Sequence, residues 1–131
     1  MTDLFTWPVR VYYEDTDAGG VVYHANYLRY MERARSEWLR ALGHPVDQIA
    51  QQEKKLFVVR SVQIQFERPA RLSDELLVSA EVEQTRRASM RLKQEVCRGV
   101  DELLVSAQVE LAMVDSETFR PVRLPVFLTE L

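Results

Sequence analysis

Two hydrophobic periods divide the chain. Across residues 26–42, apolar side chains recur every three or four positions, at Tyr27, Met31, Ala34, Trp38 and Leu42, which predicts one long amphipathic helix. Arg29, Glu32, Arg33, Glu37 and Arg40 fill much of the remaining surface, with Arg33 and Glu37 spaced to pair at i,i+4. Asn26 suits the N-cap, Gly43 suits the position just past the end, and Pro45 stops continuation. Residues 46–52 read as a short second helix. From Leu56 onward the period becomes two. Val62, Ile64 and Phe66 hold one face of a strand; Leu76, Val78, Ala80 and Val82 hold another; Met90, Leu92 and Val96 a third. Leu103, Val105, Ala107, Val109, Leu111 and Met113 share the face of a fourth. The polar joints at 85–88, 98–101 and 115–118 suit an antiparallel meander. Residues 9–13, β-branched and aromatic, read as an earlier strand.

Strand, long helix and then four long strands make an α+β chain. A 16-residue helix is roughly 24 Å long and a ten-residue strand roughly 33 Å. A curved antiparallel sheet of five or more strands can therefore wrap a central helix and bury its stripe. The 131 residues fit one domain, 1–131. Such a sheet leaves unpaired edges, so an oligomer is expected, with pairing of edge strands across a two-fold axis as one route.

Composition changes this picture only at its margins. Hydrophobic residues are 47% and charged residues 28%, an ordinary globular balance. The net charge of −3 offers nucleic acid no electrostatic footprint. Cys97 is the sole cysteine, which excludes an internal disulfide and suits a reducing compartment. Residues 1–8 lack the basic start and apolar run of a signal peptide, and no window approaches a membrane span. The cytoplasm is the expected location.

The chemistry concentrates in residues 10–26. Asp17 sits on a glycine-containing loop that leads into the long helix, whose start presents unpaired backbone N–H groups and the positive end of the dipole. Gly19 and Gly20 let a substrate approach the backbone. A carboxylate facing such donors is the minimum equipment for acyl transfer. On the residues alone, Asp17 equally suits a structural cap of the loop or helix. Asp15, Asp17 and Gly20 match positions 1, 3 and 6 of a calcium loop, but Gly19 and Asn26 fall where ligands 5 and 12 belong, and no helix precedes. His24 and His44 have no zinc spacing, and there is no Gly-x-Ser-x-Gly elbow. Neither metal nor cofactor is expected. Cys97 reads as a plain packed or surface thiol.

The same run resembles the signature of the 4-hydroxybenzoyl-CoA thioesterase-like hotdog family. Arg10, Val11, Thr16, Asp17, Gly20, Val21, Val22 and Tyr23 stand at the family's spacing. With Trp7, Pro8, His24 and Ala25, residues 32–35 of the helix, and the later pairs Val114–Asp115 and Arg120–Pro121, the chain looks like the Tol–Pal-associated bacterial branch. The resemblance implies the hotdog fold, a long helix wrapped by an antiparallel sheet. It also implies active sites between two subunits, within a homotetramer built as a dimer of dimers.

It further implies an acyl-CoA thioesterase with Asp17 as nucleophile or general base and an oxyanion site at the start of the helix. Tyr13 and His24 join Asp17 as site residues, and Gly20, Val21 and Tyr23 as substrate-binding ones. CoA phosphates call for cations. Arg60 is the odd residue on the face of Val58, Val62 and Ile64, and Arg86, Arg87 and Arg91 gather round the joint beside Ser89. Of these, Arg60, Arg87 and Ser89 are the candidates; Arg60 is paired, ligand-facing or at a subunit boundary, and solvated turn charges are the competing reading for the cluster. Acyl carrier protein is a second candidate carrier of the acyl group. Two other functions fit the fold: a non-catalytic acyl-thioester binding protein of envelope lipid metabolism, which has no need of the Asp17 carboxylate, and a dehydratase acting on acyl carrier protein, which the Asp-based loop suits poorly.

Overall fold

The computed structural model describes residues 4–131; the first three positions of the N-terminal stretch considered above lie outside the described residues. Strand β1 (Phe5–Arg10) leads through a 3₁₀ turn (Tyr13–Asp15) to the long helix α1 (Asn26–Ala41). Then come α2 (Val46–Glu53), β2 (Lys55–Phe66), β3 (Glu75–Thr85), β4 (Ser89–Arg98), β5 (Glu102–Asp115) and a C-terminal turn of helix, α3 (Val126–Thr129). The five strands form one antiparallel sheet in the order β1-β3-β4-β5-β2, the curved sheet and long helix of a hotdog fold.

The helix stripe is buried as its period requires. Tyr27, Met31, Ala34 and Trp38 are buried, Leu42 packs at the margin, and Tyr30 and Leu39 widen the face. They meet Leu76 and Val78 of β3, Met90, Leu92 and Val96 of β4, and Val105, Val109 and Met113 of β5 in one core. Gln94 is polar yet fully buried on the inner face; its amide donates to the carbonyls of Met31 and Ser79 and its oxygen accepts from Arg35. Gly43, at φ +90°, ends α1 in the left-handed conformation that glycine adopts without strain.

Several sequence expectations are corrected. The first strand lies at Phe5–Arg10 rather than 9–13, because the Asp15 carboxylate captures the Tyr12 N–H (2.8 Å) and turns the chain. Pro8 is accommodated because β1 is an edge strand, where a missing donor costs little. The N-cap is Ala25, since the Asn26 side chain is engaged elsewhere. Glu37 pairs with Arg40, not Arg33. Only β3, β4 and β5 form a meander; β2 lies across the sheet beside β5, so the 67–74 link crosses the open end of the sheet. Leu103 is half-buried while Leu104 is fully buried, because a bulge between the Cys97↔Leu103 and Val96↔Val105 pairs turns the extra residue inward.

That link is fastened by charge. Arg98 binds Asp74 within it, reaches the Pro69 carbonyl, and forks onto Glu102, which Arg68 also contacts. The Glu102 carboxyl is held below its ordinary value of 4.5, chiefly by the Arg98 hydrogen bond. Its contribution to stability is therefore complete above the ordinary carboxylate range and is lost as pH falls through the depressed folded value. Glu102→Gln is expected to lower the unfolding midpoint at pH 7, with the gap to the parent closing as pH drops below 4.5, as read by thermal melts across pH.

Candidate active site

The site is built where β1 exits, α1 begins and the 67–74 link passes. From Thr16 to Val22 the chain makes a small hairpin: Asp17 N–H donates to the Val21 carbonyl (2.9 Å) and Gly20 N–H to the Asp17 carbonyl (3.0 Å). Gly20, at φ +79°, makes the return possible. The hairpin is laid on the link by an isolated bridge between Val21 and Arg71 and by Val22 N–H donating to the Ala70 carbonyl (2.9 Å). Ala70 N–H in turn donates to the Tyr27 hydroxyl (3.0 Å), on the first turn of α1. Burial pushes the Tyr27 hydroxyl above the ordinary tyrosine pKa, so it stays neutral and fit to accept.

Asp17 stands exposed on this hairpin. One carboxylate oxygen accepts the Gly19 N–H (2.8 Å), which orients the group and leaves the other oxygen open. Asn26 N–H donates to the Tyr23 carbonyl, but among the described residues the N–H groups of His24 and Ala25 meet no backbone acceptor. With Ala25 as N-cap and no side-chain cap, the helix start keeps free donors, as an oxyanion site needs. His24 borders a cleft of about 260 Å³ together with Val22, Tyr27, Phe66 and Pro69. Its ring lies 4.6 Å from that of Tyr23 and 6.3 Å, edge-on, from that of Phe66. The wall is aromatic and apolar apart from Glu67 and Arg68.

The structure thus brings Asp17, Gly20, Val21, Tyr23 and His24 onto one pinned segment. Asp17 itself is not among the residues lining the cleft; within one chain it stands on the turn leading to it, open to solvent. Tyr13 opens the 3₁₀ turn at 81% exposure, and its carbonyl accepts the Thr16 hydroxyl. The remaining candidates stay apart. Ser89 opens β4, whereas the 67–74 link is tied to the other end of that strand through Arg98; nine residue steps make roughly 30 Å. Arg60 is the extra residue of a bulge between Val59 and Ser61, which explains its break in pattern, and it lies 3.7 Å from Glu110. Arg87 sits on the β3–β4 joint, where its carbonyl accepts Leu124 N–H. A larger cleft of about 600 Å³ lies at the far end of α1, between Phe5, Trp38, Leu42 and Leu128, away from the hairpin.

Phe66 was placed only on a strand face with Val62 and Ile64, and it stands 49% exposed beside His24. The signal was present: Glu67, Arg68 and Pro69 end the alternation immediately after it. Sequence reading missed Ala70, whose backbone role no side-chain pattern reveals.

The model of the thioesterase superfamily matches residues 19–105. The acyl-CoA thioester hydrolase YbgC of Escherichia coli O6:H1 is 45% identical over 95% of this chain and 92% of its own. The acyl-CoA thioesterase YbgC of Haemophilus influenzae is 43% identical over 92% of this chain and 88% of its own. A probable thioesterase from Bartonella henselae superposes with a TM-score of 0.89 at 39% identity, covering 94% of this chain and all of that one.

Replacing Tyr27 with Phe removes the acceptor of a fully buried N–H, that of Ala70. The expected cost is about 1–3 kcal/mol, measured by urea unfolding.

Proposed function

The chain belongs to the thioesterase superfamily, and from that premise we propose that it hydrolyses acyl-CoA to the free acid and CoA, with the Asp17 carboxylate carrying the chemistry. The observation that supports this reading is the pairing of an oriented, half-free carboxylate with unused N–H groups at the start of α1, on one pinned hairpin-helix segment.

A thioester is a suitable target because its carbonyl is poorly resonance-stabilised and its thiolate leaves without strong protonation. Its carbonyl oxygen accepts from the N–H groups at His24 and Ala25, donors whose removal typically costs about 10²–10³ in rate. In one route an Asp17 oxygen bonds to the carbonyl carbon, the C–S bond breaks with its electron pair leaving on the CoA sulfur, and water cleaves the resulting anhydride. In the other, Asp17 takes a proton from water as its oxygen bonds to that carbon, the same C–S bond breaks, and the proton passes to the products. His24, with Tyr23 and Phe66, holds the acyl group in the cleft, and Tyr13 donates its phenolic hydroxyl near Asp17. Val21 and Gly20 give the thioester a close backbone approach.

The site is completed by a second copy of the chain. Asp17, Tyr13 and Tyr23 are exposed, and β1 and β2 leave two sheet edges unpaired. Pairing across a two-fold axis within a homotetramer closes the open side. It also lets Arg60, Arg87 and Ser89 of one protomer reach the CoA phosphates at its partner's site, which a single chain does not permit. The reading takes acyl-CoA as substrate, keeps acyl carrier protein as an alternative carrier, and places the enzyme in the cytoplasm.

Incubation with an acyl-CoA panel is expected to release free thiol, and Asp17→Asn, which keeps shape and removes charge, is expected to lower kcat at least about a hundredfold. Equal turnover by the variant contradicts the role of Asp17; no thiol release from any acyl-CoA favours a binding protein.

A further inference from the structure

We infer that Asp15 is the positioning residue of this site: its buried carboxylate, shared between the Tyr12 N–H and the Asn26 side chain, locks the Asp17 hairpin to the first residue of α1. The inference rests on the catalytic reading of Asp17 and goes beyond it.

Asp15 is only 6% exposed, two residues from the exposed Asp17. One carboxylate oxygen accepts Tyr12 N–H at 2.8 Å and the other accepts the Asn26 amide Nδ2 at 2.9 Å. Its main chain does as much: Asp15 N–H donates to the Tyr12 carbonyl, and the Asp15 carbonyl accepts Tyr23 N–H at 2.9 Å. A single residue therefore joins the exit of β1, the returning arm of the hairpin and the start of α1. The hairpin between Thr16 and Val22 is short, so a shift at this base moves Asp17 directly. A displacement of about 1 Å at a reacting group can cost a hundredfold in rate.

The geometry calls for an acceptor at both side-chain oxygens. Both oxygens face donors, so an amide in place of the carboxylate sets N–H against N–H on one side. Among the described residues no Lys or Arg forms an ion pair with Asp15; its charge rests on these two donors and on the positive end of α1. Tyr30, fully buried beneath it, has its hydroxyl pKa raised by burial first and by Asp15 next. That hydroxyl meets neither Asp15 nor Asn26 at hydrogen-bonding geometry, so the two donors already named carry the carboxylate.

The complementarity can be exchanged between positions. In Asp15→Asn the introduced amide opposes one donor. Adding Asn26→Asp restores the match: the amide oxygen accepts Tyr12 N–H, its nitrogen donates to the introduced carboxylate, and the negative charge moves onto the first turn of the helix, where the dipole favours it. Steady-state kinetics with an acyl-CoA substrate are expected to show kcat reduced about tenfold or more in Asp15→Asn, KM changed less than about twofold, and most of kcat regained in the Asp15→Asn/Asn26→Asp pair. Asn26→Ala, which keeps the carboxylate and removes one donor, is expected to lose less kcat than Asp15→Asn and covers the case in which the latter fails to fold. A double variant no better than Asp15→Asn, or Asn26→Ala with parental kcat, overturns the inference. Parental turnover by Asp15→Asn while Asp17→Asn is inactive overturns the positioning role alone; parental turnover by Asp17→Asn overturns the catalytic reading beneath it.

Discussion

The candidate site is fixed to the sheet through the backbone of one fully buried residue, Ala70. Its carbonyl accepts the Val22 N–H and its N–H donates to the Tyr27 hydroxyl, so the hairpin and the helix start are fixed to the same point on the 67–74 link. The link is itself held against β4 and β5 by Arg98, and the Leu104 bulge accepts the Glu67 and Arg68 N–H groups. A loop on its own would pay conformational entropy for every productive geometry it visits. Here the scaffold meets that cost during folding, and the Asp17 carboxylate is left exposed but oriented.

Two aspartates two residues apart are put to opposite uses by environment. Asp15 is buried, doubly hydrogen-bonded and structural in its contacts; Asp17 is exposed, singly tied and free at one oxygen. A buried carboxylate survives without a cation only when its oxygens are satisfied and a favourable field is near. The helix start supplies that field to Asp15, while the N–H groups of His24 and Ala25 meet no backbone acceptor.

The helix was legible in the sequence because its period is local: the stripe from Tyr27 to Leu42 and the stop at Gly43 depend on nothing distant. The inner faces of β3 and β4 were legible for the same reason. The strand order was not, since alternation marks a strand without naming its neighbours, and β2 travels to the far edge. The end of β1 was misplaced because Tyr12 and Tyr13 have strand propensity that the hydrogen bond from Tyr12 N–H to the Asp15 carboxylate overrides. At the site, the glycine-containing turn that carries Asp17 into α1 was legible, whereas Asp15 was weighed only as a metal ligand. Arg60 drew notice as a pattern break, and the break proved to be a bulge.

The most direct test of the account is a crystal structure with a non-hydrolysable acyl-CoA analogue in which the thioester is replaced by a ketone. The free Asp17 oxygen is expected about 3–3.5 Å from the ketone carbon, or one water away from it, with the ketone oxygen on the N–H groups of His24 and Ala25. A ketone bound away from the hairpin, with Asp17 still in solvent, contradicts it.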